Sequence, residues 1–261
     1  MIRIKLGEGE AMASRDNASL AVLKDCADCP IRHRAVCSRC ETDELAFLES
    51  IKSYRNYGPG ETITWAGDEM SFVASVVTGV ATLSQTMEDG RRQMVGLLLP
   101  SDFIGRPGRR TTPYDVTAVT DLVLCRFDRM AFERLIAKSP AISQRLLEMM
   151  LDDLDAAREW MVLLGRKTAR EKLASLLVIF ANREANLQAK PRADKIAFDL
   201  PLSREELADY LGLTLETVSR QISALKRDEI IALLGKRHVI VPDMARLMAE
   251  TGDDTDGGIL I

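Results

Sequence analysis

The chain is poor in the groups that most enzymes depend on. It holds only two histidines, His33 and His238. No Ser/His/Asp constellation, paired-carboxylate site or glycine-rich phosphate loop is present, so the sequence reads as a non-enzyme. No run of about 18 apolar residues exists, and no membrane span is expected. The opening stretch MIRIKLGEGEAMASRDNA lacks a continuous apolar segment, which argues against a secretory leader. The expected location is therefore the cytoplasm, where thiols stay reduced. Internal repeats and low-complexity tracts are also missing. A net charge of −4 argues against a non-specific nucleic-acid binder.

The composition is that of a globular protein, with 46% apolar and 28% charged residues. A length of 261 residues suits two domains and a connecting element. Charge is unevenly spread. Arg166 to Leu247 carries 15 Lys/Arg against 11 Asp/Glu, which leaves the rest of the chain at −8. A mildly basic C-terminal part on an acidic protein suits a DNA-binding module joined to something else.

The periodicity divides the chain further. Residues 1–20 are polar and aperiodic, and an N-terminal arm of residues 1–40 carries a cysteine cluster. Residues 41–130 read as a β-roll. From Tyr54 to Phe127, segments of five to eight residues rich in Val, Ile and Thr are separated by turn signals such as Gly58-Pro59-Gly60 and Asp89-Gly90. From Ala131 the period becomes helical. Ser139 caps, and Pro140 begins, a long helix reaching about Leu164. Leu147, Met150, Leu154, Ala157, Met161 and Leu164 form a narrow 3–4 stripe that suits a two-stranded coiled coil, so residues 131–165 read as a dimerisation element. Asp152, Asp153 and Asp155 crowd that seam with like charge. Residues 166–248 read as a winged helix-turn-helix: a helix over Thr168–Ala181, a strand at Ile196–Leu200, two helices and a terminal hairpin. Residues 249–261 read as a flexible tail. The fold class is thus α+β.

Ser203 to Arg220, SREELADYLGLTLETVSR, carries the DNA-reading signal. Ser203 and Glu206 form a capping box, Gly212 suits a tight turn, and Thr214 caps the second helix. Leu215, Val218, Ile222 and Leu225 are the expected core face of that helix. Glu216, Thr217, Ser219, Arg220 and Ser223 then point outward. Arg220 can donate twice to guanine, Glu216 can accept from an exocyclic amine, and Ser219 is adaptable. Thr214, Thr217 and Arg204 are better placed for phosphates, as are Lys236 and Arg237 on the hairpin tip.

The arm carries Cys26, Cys29, Cys37 and Cys40, spaced C-x2-C-x7-C-x2-C, and a fifth cysteine, Cys125, closes the last β segment. Four cysteines within 15 residues of a cytoplasmic chain point to metal rather than disulfide. Spacing alone leaves a structural zinc site and an iron–sulfur cluster open. His33, between two arginines, reads as solvated.

Chain order, the run Tyr210-Leu-Gly-Leu-Thr-Leu-Glu-Thr-Val-Ser-Arg220 and the N-terminal cysteines together resemble the CRP/FNR superfamily, specifically the FNR branch of FnrL/FnrN type, over about residues 20–245. The resemblance implies an oxygen-responsive transcription regulator. It implies a [4Fe-4S] cluster on Cys26, Cys29, Cys37 and Cys125, with Cys40 as a rival to Cys37. It further implies a homodimer that binds palindromic, TTGAT-like double-stranded DNA under low oxygen, and RNA polymerase as protein partner. Glu216, Ser219 and Arg220 match the half-site readers. Gly105 to Pro113 lacks the Arg-Ser-Ala cassette of the cAMP-binding relatives, so no cyclic nucleotide is expected. The alternative is a regulator of the same superfamily with a structural zinc site and a small-molecule effector.

Overall fold

The computed structural model describes residues 25–90, 92–187 and 195–253. Residues 1–20 and most of the expected tail lie outside them. The described part of the arm, from Asp25 to Cys40, is a run of turns closed by a 3-10 turn at Val36–Arg39. Helix α1 (Thr42–Ile51) follows, capped by a reciprocal Glu41–Glu44 pair. The expected roll of residues 41–130 therefore begins late, because Thr42–Ile51 is helical. Its signal is faint, since Leu48 is its only fully buried residue.

Eight strands form two four-stranded sheets. One runs β1 (Lys52–Tyr57), β8 (Leu122–Asp128), β3 (Phe72–Thr78), β6 (Phe103–Ile104). The other runs β2 (Thr62–Thr64), β7 (Asp115–Ala118), β4 (Ala81–Thr86), β5 (Arg92–Leu98). Successive strand side chains face opposite ways. On β3 and β8, Ala74, Val76, Leu122 and Leu124 point between the sheets. Val73, Val77, Cys125 and Phe127 point outward, beneath a layer built from the arm, α1, α2 (Arg129–Ile136) and the first half of α3 (Pro140–Arg166). Cys125 thus lies in the seam between sheet and helical layer.

Helix α3 starts as expected, with Ser139 accepting from the Ile142 N–H and Pro140 in the first turn. Leu147 (59% exposed), Leu154 (44%) and Met161 (73%) leave the apolar stripe uncovered in the single chain. The winged helix holds α4 (Ala169–Leu187), β9 (Ile196–Asp199), α5 (Arg204–Leu211), α6 (Leu215–Arg227), β10 (Ala232–Leu234), β11 (His238–Val241) and α7 (Met244–Ala249). Its strands pair in the order β10-β11-β9. It docks on both the long helix and the roll: Trp160 of α3 stacks on Tyr210 at 4.0 Å, and Gln93 Nε2 of β5 donates to the Asp209 carbonyl at 3.2 Å. Fraying does not begin at Thr251, which is buried, and Asp253 pairs with Lys167 at 2.6 Å.

Candidate metal centre and nucleic-acid interface

Cys26, Cys29, Cys37 and Cys125 line one narrow cleft between arm and sheet, and Cys40 is not among its walls. Cys40 packs instead into the apolar cluster around Ile31, Val36 and Leu48. The turn between them is fastened by the Arg32 guanidinium, which donates to the carbonyls of Cys37 and Cys40. All five cysteines are free thiols. Burial pushes Cys37 up to about 11 and Cys40 up to about 12, and it raises Cys125 and Cys26 as well. A metal bound here takes thiolates as ligands and so must displace the thiol protons. His33 is exposed and outside the cleft.

The reading of the sequence missed three polar neighbours of these thiols. Lys52, whose side chain is 8% exposed, donates to Cys26 Sγ at 3.2 Å and to Glu49 Oε1 at 3.1 Å. Tyr54 on β1 and Ser75 on β3 are the cross-strand partners of Cys125 on either side. Both line the cleft with buried hydroxyls: that of Ser75 has no hydrogen-bond partner, and that of Tyr54 has only the weakly accepting Cys125 thiol beside it. Only strand register could have located them.

In the winged helix, Ser203 accepts from the Glu206 N–H and Glu206 closes the box onto the Ser203 N–H. Gly212 takes φ +61°, the left-handed conformation the turn requires. Thr214 accepts from the Thr217 N–H, and its hydroxyl donates to Thr217 Oγ1 at 3.1 Å. Val218, Ile222 and Leu225 are buried on α6. Leu215 is not: at 45% exposed it sits on the open first turn rather than in the core. Glu216, Ser219, Arg220 and Ser223 are exposed along the same helix, as base reading requires. The Glu216 carboxyl is held below its ordinary range by its own backbone N–H and by Thr214. Arg204 is half-buried, with Nη1 buried and unpartnered. Arg237 Nη1 bonds back to the Pro201 carbonyl at 3.3 Å.

A double-layered roll, a long helix and a helix-turn-helix with an open polar face define a DNA-binding transcription regulator with a sensory domain. A model of the cyclic nucleotide-binding domain matches residues 54–139, and one of the Crp-like helix-turn-helix domain matches residues 171–250. The chain is 69% identical over 238 residues to transcriptional activator protein FnrL of Cereibacter sphaeroides, covering 91% of this chain and 96% of that one. It is 38% identical over 209 residues to nitrogen fixation regulation protein FixK of Bradyrhizobium diazoefficiens, covering 80% and 86%. The solved structure of FixK2 from Bradyrhizobium japonicum superposes with a TM-score of 0.70 at 30% identity, covering 78% of this chain and 100% of that one. The chain belongs to the FNR branch of the CRP/FNR superfamily and is an FNR-type transcription regulator, not an enzyme. Regulators of this family are dimeric, and the uncovered stripe of α3 is the surface that suits such pairing. Among the described residues, no helix is long and apolar enough to cross a membrane.

Proposed function

We propose that the protein is an oxygen-responsive regulator whose Cys26, Cys29, Cys37 and Cys125 hold a [4Fe-4S] cluster. Under low oxygen it pairs through α3 and binds palindromic, TTGAT-type operators of anaerobic or microaerobic genes. The observation that carries this reading is that four thiols from two distant stretches of chain line one cleft. Soft thiolates select iron–sulfur clusters, zinc or copper(I). The thiols rim a cleft, which suits a polynuclear group whose irons each take one thiolate. Two buried hydroxyls facing the same cleft, those of Tyr54 and Ser75, add donors of the kind that cluster sulfur accepts. The cluster, when bound, supplies the oxygen-labile element. The chain's own residues supply the rest: the arm thiols and Cys125 join arm to sheet, α3 pairs two subunits, and Glu216, Ser219 and Arg220 read the half-site.

Cyclic nucleotide has no place in this reading. The segment from Gly105 to Pro113 carries no Arg-Ser-Ala cassette; its Arg110 faces Glu69 at 2.9 Å, and the Gly108 N–H donates to Glu133 at 3.0 Å. A cytoplasmic location keeps the thiols reduced, and RNA polymerase is the partner through which a DNA-bound activator acts.

Protein isolated without oxygen is expected to carry about four iron and four sulfide per chain. It should show a broad visible absorption that bleaches in air and should bind operator as a dimer only before bleaching. Zinc in place of iron, or operator binding indifferent to air, refutes the reading.

A further inference from the structure

Tyr54, Cys125 and Ser75 form one row across three adjacent strands, because Cys125 pairs with Tyr54 on β1 and with Ser75 on β3. Cross-strand partners project from the same sheet face about 5 Å apart. Both flanking side chains therefore rise beside the Cys125 sulfur, and both line its cleft. Ser75 is 2% exposed and its hydroxyl finds no protein partner, while the Tyr54 hydroxyl has only the Cys125 sulfur beside it. A buried hydroxyl without a good acceptor is destabilising, so one that is unpartnered and one that meets only a thiol, around a single cleft, point to an acceptor that the cleft itself receives. Each hydroxyl has one O–H to give, whereas thiolate and cluster sulfur are acceptors only.

We propose that Tyr54 and Ser75 are positioning residues that donate hydrogen bonds to the sulfur of the group bound by the four cysteines, and so set its reduction potential and its retention. This rests on the cluster reading above. Donors to sulfur stabilise the more negative, reduced form, and removing them makes the potential more negative. Partners of this outer kind are worth about ten- to a hundredfold in metal retention.

The test uses the full chain, loaded without oxygen, as wild type, Tyr54→Phe, Ser75→Ala and the double variant. Iron and sulfide per chain, midpoint potential, and iron release to a chelator are measured, with thermal unfolding of the metal-free protein beside them. The expected result is roughly tenfold faster iron release for each single variant, more for the double, and a more negative potential. The metal-free unfolding midpoint of Ser75→Ala should stay the same or rise, since the hydroxyl removed had no partner. A variant that fails to load although its metal-free midpoint is unchanged also supports the assignment. A loaded double variant with wild-type potential and release overturns it and leaves the cluster reading standing. A fall in the metal-free midpoint of Ser75→Ala overturns the assignment of Ser75, by showing that its hydroxyl serves the fold. Wild-type protein without iron removes the cluster reading and this assignment with it.

Discussion

Cys37 and Cys40 lie three residues apart, yet their surroundings predict opposite outcomes on replacement. Cys40 is 9% exposed within an apolar cluster and outside the cleft. Cys40→Ala deletes one buried sulfur, at a cost of about 1 kcal/mol in the stability of the metal-free chain. Cys37→Ala has a similar cost there, because its sulfur is also largely shielded. In the loaded chain it further removes one of four thiolates. A site of four thiolate or imidazole ligands is worth roughly 10–16 kcal/mol, so one ligand carries about 3 kcal/mol, on the order of a hundredfold in retention. Cys40 does not swing in as a substitute, because its N–H is bonded to the Cys37 carbonyl at 3.1 Å and Arg32 holds both carbonyls. Both variants are to be loaded without oxygen, assayed for iron and sulfide, and challenged with a chelator. The metal-free proteins are unfolded thermally to subtract the packing cost. Cys40→Ala should keep wild-type iron content and release rate, and Cys37→Ala should lose iron about a hundredfold faster. If Cys40→Ala sheds iron and Cys37→Ala does not, the assignment of the fourth ligand from the cleft walls is wrong.

Three further outcomes follow from the rest of the molecule. Arg220→Ala should weaken operator binding by about 1–3 kcal/mol per half-site and relax discrimination at a guanine; fluorescence anisotropy on operators changed one base pair at a time tests this, and a loss uniform across sequences contradicts base reading. Partial desolvation, then the carboxylates of Asp102 and Asp152, push Asp153 up to about 6 against the pull of Arg183. The folded chain thus holds that proton more tightly than the unfolded one, and stability falls as pH rises from the ordinary carboxylate range towards 6. Lowering the pH through that window should therefore raise the thermal midpoint of the metal-free protein, an effect absent in Asp153→Asn; the same pH response in both proteins contradicts it. Gly79→Ala should destabilise by at least about 3 kcal/mol, because φ is +84° and a Cβ would stand 2.1 Å from the Asp121 carbonyl oxygen; an unchanged thermal midpoint contradicts that geometry.

Local chemistry was legible in the sequence wherever a side chain acts on its own turn. The Ser203–Glu206 box, the left-handed Gly212 and the Thr214 cap all fall where spacing placed them. Features set by neighbours distant in the chain were not legible. Helix α1 is short and buries only Leu48 fully, with Leu45 and Ile51 partly covered beside it, so it was absorbed into the roll. β1 is mostly polar and half-exposed, for which period-2 reading has little contrast. Leu215 fits the spacing of the core face but occupies the first turn of α6, where nothing covers it. The candidate metal centre shows the same division. The cysteines are visible in the spacing, but the choice between Cys37 and Cys40 depends on the turn at Val36–Arg39. The roles of Tyr54, Ser75 and Lys52 depend on which residues face Cys125 across β1, β8 and β3.

The arm that carries three of these thiols also grips the long helix. Arg145 Nη2 on α3 donates to the Arg34 carbonyl at 2.6 Å, and Arg39 pairs with Glu148 at 2.7 Å. Ile142 and Met149 share an apolar cluster with Ile31, Val36 and Cys125. Whatever draws the arm onto Cys125 therefore acts on the first turns of α3, and the exposed Leu147 and Met150 that open the pairing stripe lie among those same turns. The two polar ties are not equal. Arg39 and Glu148 have side chains 47% and 32% exposed, and such a surface pair contributes little. The Arg145 bond is part-buried and charge-assisted, worth about 1.5–3 kcal/mol. Arg145→Ala should leave iron content unchanged while lowering the dimerisation constant of loaded protein about tenfold or more, and Arg39→Ala should stay within about threefold of wild type. Analytical ultracentrifugation without oxygen, with iron measured on the same samples, separates the two. Wild-type dimerisation in Arg145→Ala would mean that the state of the cysteines reaches α3 by some route other than the arm.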